Sequence, residues 1–416
     1  MPVAYRRERM NNKRVSMGLT ETIYEDDAYA KECTAKVLEC REILRQKEKK
    51  EETVYGIVLD RTVFFPEGGG QSADSGLLND LTVLDVQREN GVILHILAEP
   101  IPQGQEVIAK LDFNVRYKKM QNHSGEHLFC GLIHSLYGYE NVGFHMSKDC
   151  VTVDVDGVLT AEDFARIEKL ANEGVDANVP IYAVYPEHAD ELEYRSKLEL
   201  TEDIRVVQIE GYDACACCAP HVRSTAEIGL IKVMDFMPHR GGTRFTLKCG
   251  ACAREDYAVL HEEIGQIMRR FSAKREECHL AAERVAEQLK TQQENILSLK
   301  KQITDMHLEK LRDSIVNDRS EGAKLIFDAN LDDVQMRTLI NEGVKIAPGI
   351  VAGFLGEDET GYRYIIGKNE AATEHDLRTL AAELNKALNG RGGGSDKMIQ
   401  GNVAAKRQEI EKFMQN

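Results

Sequence analysis

Two segments far apart in this chain each carry two metal-competent side chains four positions apart: His123 and His127 in His-Ser-Gly-Glu-His, and Cys217 and His221 in Cys-Cys-Ala-Pro-His. Imidazole and thiolate donors in this mixture select zinc over magnesium or calcium, which prefer oxygen. One pair alone is commonly just two solvated residues on a helix face. Two pairs that complete one tetrahedral set specify a zinc site, with four protein ligands or with three and an open position. Cys215 and Cys218 crowd the second segment and are able to substitute as ligands.

Composition bounds what surrounds that site. The 416 residues, 42% of them hydrophobic and none tryptophan, bury a sizeable core and are expected to divide into two to four domains. No stretch approaches the ~18 apolar residues needed to span a bilayer. The first twenty residues are basic without an apolar core, so they are expected to be a flexible extension over 1–20, and the protein to be cytoplasmic. Ten cysteines in so long a chain suggest free thiols or ligands, not a disulfide scaffold. Cys249-Gly-Ala-Cys252 has no second pair at zinc-ribbon spacing and reads as small buried thiols. The formal charge of −16 argues against a general nucleic-acid coat. It leaves room for a local basic surface, because the acid is concentrated between about 154 and 210 and again beyond 325.

Periodicity organises the chain. Residues 53 to 113 read as short strands, with Leu81 to Gln87 and Val92 to Leu97 flanking the hairpin signal Asn90-Gly91, a pattern that suggests a small β-barrel or sandwich. From 116 to 137 the period becomes helical and stops at Tyr137-Gly138, placing both histidines on one helix face. Further strands are expected at 151–155, 181–185, 205–209 and 230–234, with a helix over 161–172; Cys217 and His221 then fall on a loop between strands. From Glu255 to about Val316 the chain is charged and free of proline, and Val285, Leu289, Ile296, Leu299, Ile303 and Met306 fit heptad positions. That stretch reads either as a helical arm packing on its neighbour or as a dimerising coiled coil. Beyond 317 strands and helices alternate in a small α/β domain.

Phe-Phe-Pro-Glu-Gly-Gly-Gly-Gln at 64–71, the histidine pair, the Cys217 to His221 element followed by Thr225-Ala-Glu-Ile-Gly229, Gly-Gly-Thr-Arg at 241–244 and a terminal glycine cluster occur in this order. Together they resemble the editing half of alanyl-tRNA synthetase and its free-standing relatives, the alanyl-tRNA editing proteins, in the long form that keeps a C-terminal tRNA-binding domain. The resemblance implies an α+β chain: a small N-terminal β-barrel over 21–114, an α/β zinc editing domain over 115–254, a coiled-coil linker over 255–316 and a tRNA-binding α/β domain over 317–416. It leaves no room for aminoacylation domains. It therefore implies hydrolysis of mischarged tRNA(Ala) in trans, carrying serine or glycine, with a homodimer through the arm or the C-terminal domain as a further expectation.

Residue by residue, the resemblance implies zinc on His123, His127, Cys217 and His221, and it favours Cys217 over Cys218 because the four-residue spacing to His221 matches. Gly68, Gly69 and Gly70 permit close backbone approach to a ligand, and in the family they border the pocket. Gln71 and Ser124 are candidate catalytic residues, while Phe144, His145 and Arg244 are candidates for substrate binding. Glu126 departs from the family pattern, which carries threonine or another small or apolar residue there. A carboxylate beside a metal-binding histidine serves as general base, binds the substrate ammonium or orients a ligand; the alternative is a solvent-facing helix residue. Arg391, Gly392, Gly393, Gly394 and Lys397 resemble the glycine motif that holds tRNA, with Lys406 and Arg407 adding charge. Two other readings stay open. His-x-x-Glu-His is also the inverzincin metalloprotease pattern with Glu126 as base, and four protein ligands without an exchangeable position would make a structural zinc in a non-catalytic tRNA-binding protein.

Overall fold

The computed structural model describes residues 20–47, 50–89, 91–186, 193–196, 204–317, 322–374 and 376–415, without the side chains of 46, 47, 50 and 51. The basic extension, Thr20 apart, and Asn90 of the hairpin signal lie outside the described residues. The fold is mixed α+β in two compact units, Met1–Gln266 and Ile267–Asn416. Their division falls inside the charged stretch read as a linker.

In the first unit a seven-stranded sheet comprises β1 (Glu32–Lys47), β2 (Lys50–Leu59), β3 (Gly76–Leu78), β4 (Leu81–Val83), β5 (Asp85–Glu89), β6 (Val92–Leu97) and β7 (Glu106–Leu111). Their order is β4-β3-β7-β1-β2-β6-β5. β1 serves both halves: Glu32 to Lys36 pair with β7, and the remainder from Val37 pairs with β2 after a register shift between Val37 and Glu39. The two edge strands are separated in sequence by Leu84 alone, whose N–H donates to Ile96 O at 2.8 Å. One bent segment thus supplies both edges. Inward residues such as Val107, Ala109 and Leu111 alternate along β7 and fill the interior with Ile57, Leu59, Phe64 and Val86.

The rest of this unit surrounds one helix, α1 (Phe113–Tyr137). Asp112 caps its start by accepting from the Val115 N–H, and Gly138 ends it in the left-handed region at φ 71°. Every residue from Lys119 to Ile133 is buried. A helix with one apolar stripe, as the sequence suggests, would leave its polar face wet. Here that face is covered too, and its polar groups are paired: Gln121 Oε1 accepts from Ala251 N–H and Asn122 Oδ1 from Cys249 N–H. The covering elements are β8 (Asn141–Met146), β9 (Val151–Val155), α2 (Ala161–Asp176), β10 (Ile181–Val184), β11 (Val206–Ile209), β12 (Asp213–Ala216), β13 (Ile231–His239) and β14 (Gly242–Cys249), followed by α3 (Gly250–Phe271). They form the sheets β8-β9-β14-β13 and β10-β11-β12.

After the last turn of α3, the second unit contains α4 (Cys278–Asn317), followed by β15 (Lys324–Phe327), α5 (Asp333–Ile346), β16 (Ile350–Glu357), β17 (Gly361–Lys368), α6 (Leu377–Ala387), β18 (Arg391–Gly394), β19 (Met398–Val403) and α7 (Arg407–Met414). Its sheet runs β15-β16-β17-β19-β18. The stretch from Glu255 to Val316 is therefore two helices, interrupted at Ser272, which has φ 50°. The heptad residues Val285, Leu289, Ile296, Leu299, Ile303 and Met306 remain 43 to 58% exposed. α4 docks on α5 and its neighbours through a different stripe, in which Lys300 pairs with Asp332, Thr304 and Leu311 are buried, and His307 pairs with Asp328. Apolar periodicity misses that stripe because Lys300, Thr304 and His307 are polar.

His95, inside the seven-stranded sheet, is fully buried: Nδ1 donates to Ile57 O at 3.0 Å and Nε2 accepts from Thr62 Oγ1 at 2.8 Å. Burial pushes its pKa down to about 4, outweighing the bond to Ile57. The unfolded chain therefore binds a proton that the folded chain refuses between pH 6.5 and 4, and the associated stability, complete above 6.5, is lost as pH falls through that window. Wild type should lose about 3 kcal/mol relative to His95→Asn across it, read as the difference in denaturant unfolding at the two ends. A constant difference would contradict the buried neutral imidazole.

Candidate metal centre

Strand alternation directs Asp213, Cys215 and, just beyond β12, Cys217 to one side, toward α1. Gly131 permits the approach: a Cβ there would collide with the Tyr212 carbonyl oxygen and the Asp213 side chain. The ligating atoms of His123, His127, Cys217 and His221 lie within 4.8 Å of one another. Cys217 Sγ is 3.7 Å from His123 Nε2 and 3.4 Å from His221 Nε2. Cys218 is exposed and outside this group, and Cys215 forms a separate group with His127 and Asp213.

Behind each histidine lies an oxygen able to accept its Nδ1–H. Nδ1 of His123 meets Gln71 Oε1 at 2.8 Å, Nδ1 of His127 meets Asp213 Oδ2 at 3.1 Å, and Nδ1 of His221 meets Ser124 Oγ at 3.0 Å. With Nδ1–H donating outward in each case, the Nε2 lone pairs converge on the space beside Cys217 Sγ. Burial would raise the Cys217 thiol, but the His123 and His221 imidazoles hold it well below the usual thiol range. Burial pushes His221 down to about 3. A thiolate with neutral imidazoles is the ligating form of this set, and it fits zinc. Arg205 fixes the loop by donating to the carbonyls of Cys217 at 2.7 Å and Ala219 at 3.1 Å.

The glycine-bearing loop is fastened to one face of α1. Arg116 is fully buried and forks onto Asp74, with Nε 2.9 Å from Oδ2, while also donating to Val63 O and Ala28 O. Lys119 donates to the carbonyls of Ser72 and Ala73, and His123 takes Gln71. Gly70, at φ 83°, lies against Phe144, whose ring stacks on His123 at 5.0 Å between centroids. Gly68 and Gly69 have open space where a side chain would begin. Gln71 is buried, and its Nε2 finds no protein partner among the described residues.

Glu126 is buried, not solvent-facing; its Oε1 accepts from Asn141 Nδ2 at 2.6 Å. Arg244 is paired with Asp154 at 2.6 Å and contacts His239, and His145 lies exposed on β8. In the second unit, β18 is the outer strand of its sheet and exposed throughout. A Cβ on Gly392 would meet Tyr364 Oη and one on Gly394 the Met398 carbonyl, whereas Gly393 faces open space. Lys397 pairs with Glu370 at 2.9 Å. Sequence reading missed Asp213, Arg195, Arg116, Lys119 and Asp74. The alternation Asp213, Cys215, Cys217 was a usable sign for the first of these, and the helical spacing of 116, 119 and 123 for two others.

Two family models match the chain. That of tRNA synthetases class II (A) spans residues 5–115, and that of the threonyl and alanyl tRNA synthetase second additional domain spans 204–271, which holds Cys217 and His221. The alanyl-tRNA editing protein AlaX-L of Pyrococcus horikoshii is 28% identical over 410 residues, covering 94% of this chain and 96% of that protein. The alanyl-tRNA editing protein Aarsd1-B of Xenopus laevis is 26% identical over 402 residues with the same coverage. The chain is a relative of the alanyl-tRNA editing proteins. An alanine–tRNA ligase of Pyrobaculum neutrophilum is 31% identical over 379 residues, covering 80% of this chain but 41% of the ligase. This relative of the editing proteins thus shares with the ligase a minor part of the latter's length.

Ser124 tests the ligand-orienting layer. Ser124→Ala leaves His221 Nδ1–H and the Val222 N–H, which also reaches Ser124 Oγ at 3.2 Å, without their acceptor. Zinc affinity should fall ~10- to 100-fold, measured by chelator competition, with the fold retained. Unchanged affinity would mean that the hydroxyl does not orient His221.

Proposed function

We propose that the protein removes the amino acid from mischarged tRNA(Ala), carrying serine or glycine, acting in trans as a zinc-dependent aminoacyl-tRNA hydrolase of the cytoplasm. What carries the reading is the convergence of three oriented Nε2 atoms and the Cys217 thiolate, in a chain that matches alanyl-tRNA editing proteins along 94% of its length. Zinc held there supplies Lewis-acid character to an oxygen or nitrogen at a further position.

An aminoacyl ester is already labile, so the chain has only to hold the ester and admit water. His123, His127, Cys217 and His221 hold the metal. Gln71, with Oε1 on His123 and a buried Nε2 that has no partner among the described residues, is proposed to bond a substrate carbonyl or hydroxyl. Gly68, Gly69 and Gly70 keep the backbone beside Phe144 free of side chains, and His145 and Arg244 stay as outlying candidates. Purified protein should hydrolyse Ser- or Gly-tRNA(Ala) and spare Ala-tRNA(Ala). His127→Ala and Cys217→Ala should each lose zinc and activity together. Metal loss with activity retained would favour a structural zinc, and cleavage of peptides in a parallel assay would favour the metalloprotease reading.

For Glu126, a carboxylate that transfers a proton or binds the substrate ammonium makes Glu126→Gln keep zinc but lose ~10²-fold in deacylation. Full turnover in that variant would assign the residue to holding Asn141.

The C-terminal unit, with Arg391, Gly392, Gly393 and Gly394 along β18 and Lys397 in the turn that follows, is proposed to grip the tRNA body, and the exposed stripe of α4 to support a homodimer. Truncation after Phe271, at the end of α3, should leave a zinc-loaded hydrolase with raised KM for full-length tRNA and a flatter salt dependence, since each lost phosphate contact reduces the slope. An acceptor-stem mimic should be cleaved about equally by both forms. Equal handling of intact tRNA by the truncated form would remove the C-terminal unit as the anchor.

A further inference from the structure

The three histidines of the centre are not held alike. His123 and His221 donate to the uncharged oxygens of Gln71 and Ser124, whereas His127 donates to a carboxylate, Asp213. That carboxylate is in turn gripped by Arg195, Nε to Oδ1 at 2.8 Å and a terminal nitrogen to Oδ2 at 3.0 Å. The Asp213 side chain is 1% exposed and that of Arg195 10%. The backbone of Arg195 is stitched to β12, its N–H donating to Ala214 O at 2.8 Å and its carbonyl accepting from Ala216 N–H at 2.9 Å. The backbone of Arg195 is thereby fixed beside Asp213, and the side chain reaches the carboxylate from that anchored position.

A two-point fork fixes both oxygens of a carboxylate and the plane that contains them, which a single ammonium does not. With both oxygens engaged, Oδ2 still has a lone pair for His127 Nδ1–H. The guanidinium also draws back part of the negative charge that would otherwise load the imidazole and make it a stronger donor to a metal. The same arrangement disposes of the grouping of His127, Asp213 and Cys215 as a second cation site, because a cation, the guanidinium, already occupies the carboxylate.

We infer that Arg195 is a positioning residue of the metal centre: by forking Asp213 it sets the plane and the charge of the group that holds His127 Nε2 toward the metal. The inference rests on the metal reading of the four-residue set and is independent of which aminoacyl-tRNA is cleaved.

The test uses the full chain, stripped of metal and reconstituted with cobalt(II) as a visible probe, and compares wild type with Arg195→Gln, Arg195→Lys, Asp213→Asn and the double variant Arg195→Gln/Asp213→Asn. Arg195→Gln and Asp213→Asn should each weaken metal affinity ~10- to 100-fold in chelator competition and displace the cobalt d–d bands. Arg195→Lys should recover part of the affinity, because it returns charge without the fork. The double variant, which buries no unpaired charge and so guards against misfolding, should be no weaker than the worse single variant, since both residues act through His127. A cobalt spectrum and affinity in Arg195→Gln equal to wild type, whatever its melting temperature, would reduce Arg195 to a structural ion pair. Failure of wild type to bind cobalt stoichiometrically would overturn the metal reading, and this inference with it.

Discussion

Burial of α1 on every side is the constraint from which the rest of the first unit follows. Its buried run from Lys119 to Ile133 includes Lys119, Gln121, Asn122, His123, Ser124, Glu126 and His127, and a buried polar group left without a partner costs about 1–3 kcal/mol. The fold meets this by bringing a specific acceptor or donor to each side chain: the glycine-bearing loop for Lys119 and His123, the start of α3 for Gln121, the end of β14 for Asn122, His221 and Val222 for Ser124, β8 for Glu126 and β12 for His127. Two of the partners that satisfy the helix, Gln71 and Asp213, are also groups that orient candidate metal ligands. Packing and chemistry here are two aspects of one set of hydrogen bonds.

The loop bearing Cys217 and His221 sits at the meeting of two apolar cores. Cys217 packs against the core around α1 and against the interior of the seven-stranded sheet, and Ala219 belongs to the latter. A ligand loop wedged in this way has its backbone fixed by both cores and by Arg205, so little conformational entropy remains to be lost when the four donors close on an ion.

The sequence displayed the four candidate ligands and the helix that carries two of them, because two imidazole and thiolate pairs complete one donor set and because the period changes sharply at 116. Strands 92–97 and 151–155 fall where alternation and turn residues put them. The length of β1 did not show, because its charged outer face hides the alternation. Nor did the partners of the histidines: Asp213, Arg195 and Asp74 are ordinary acidic and basic residues until the fold brings them to α1, and long-range pairing leaves no local pattern. Glu126 stood out by its departure from a family motif, yet only the structure places it in the interior, because helical phase alone does not say how many faces of a helix are covered.

Arg116, Lys119 and His123 follow one another along a single face of α1 and address successive points of the loop, Asp74, Ser72 with Ala73, and Gln71. The helix acts as a ruler running opposite to the loop. One residue added or removed between 116 and 123 would turn the histidine by ~100° away from the arginine. Loop and helix can therefore change length only in concert. A lineage carrying this arrangement is free to vary the side chains along both segments, but it has almost no freedom to insert or delete in either, so alignment gaps among its descendants should gather elsewhere.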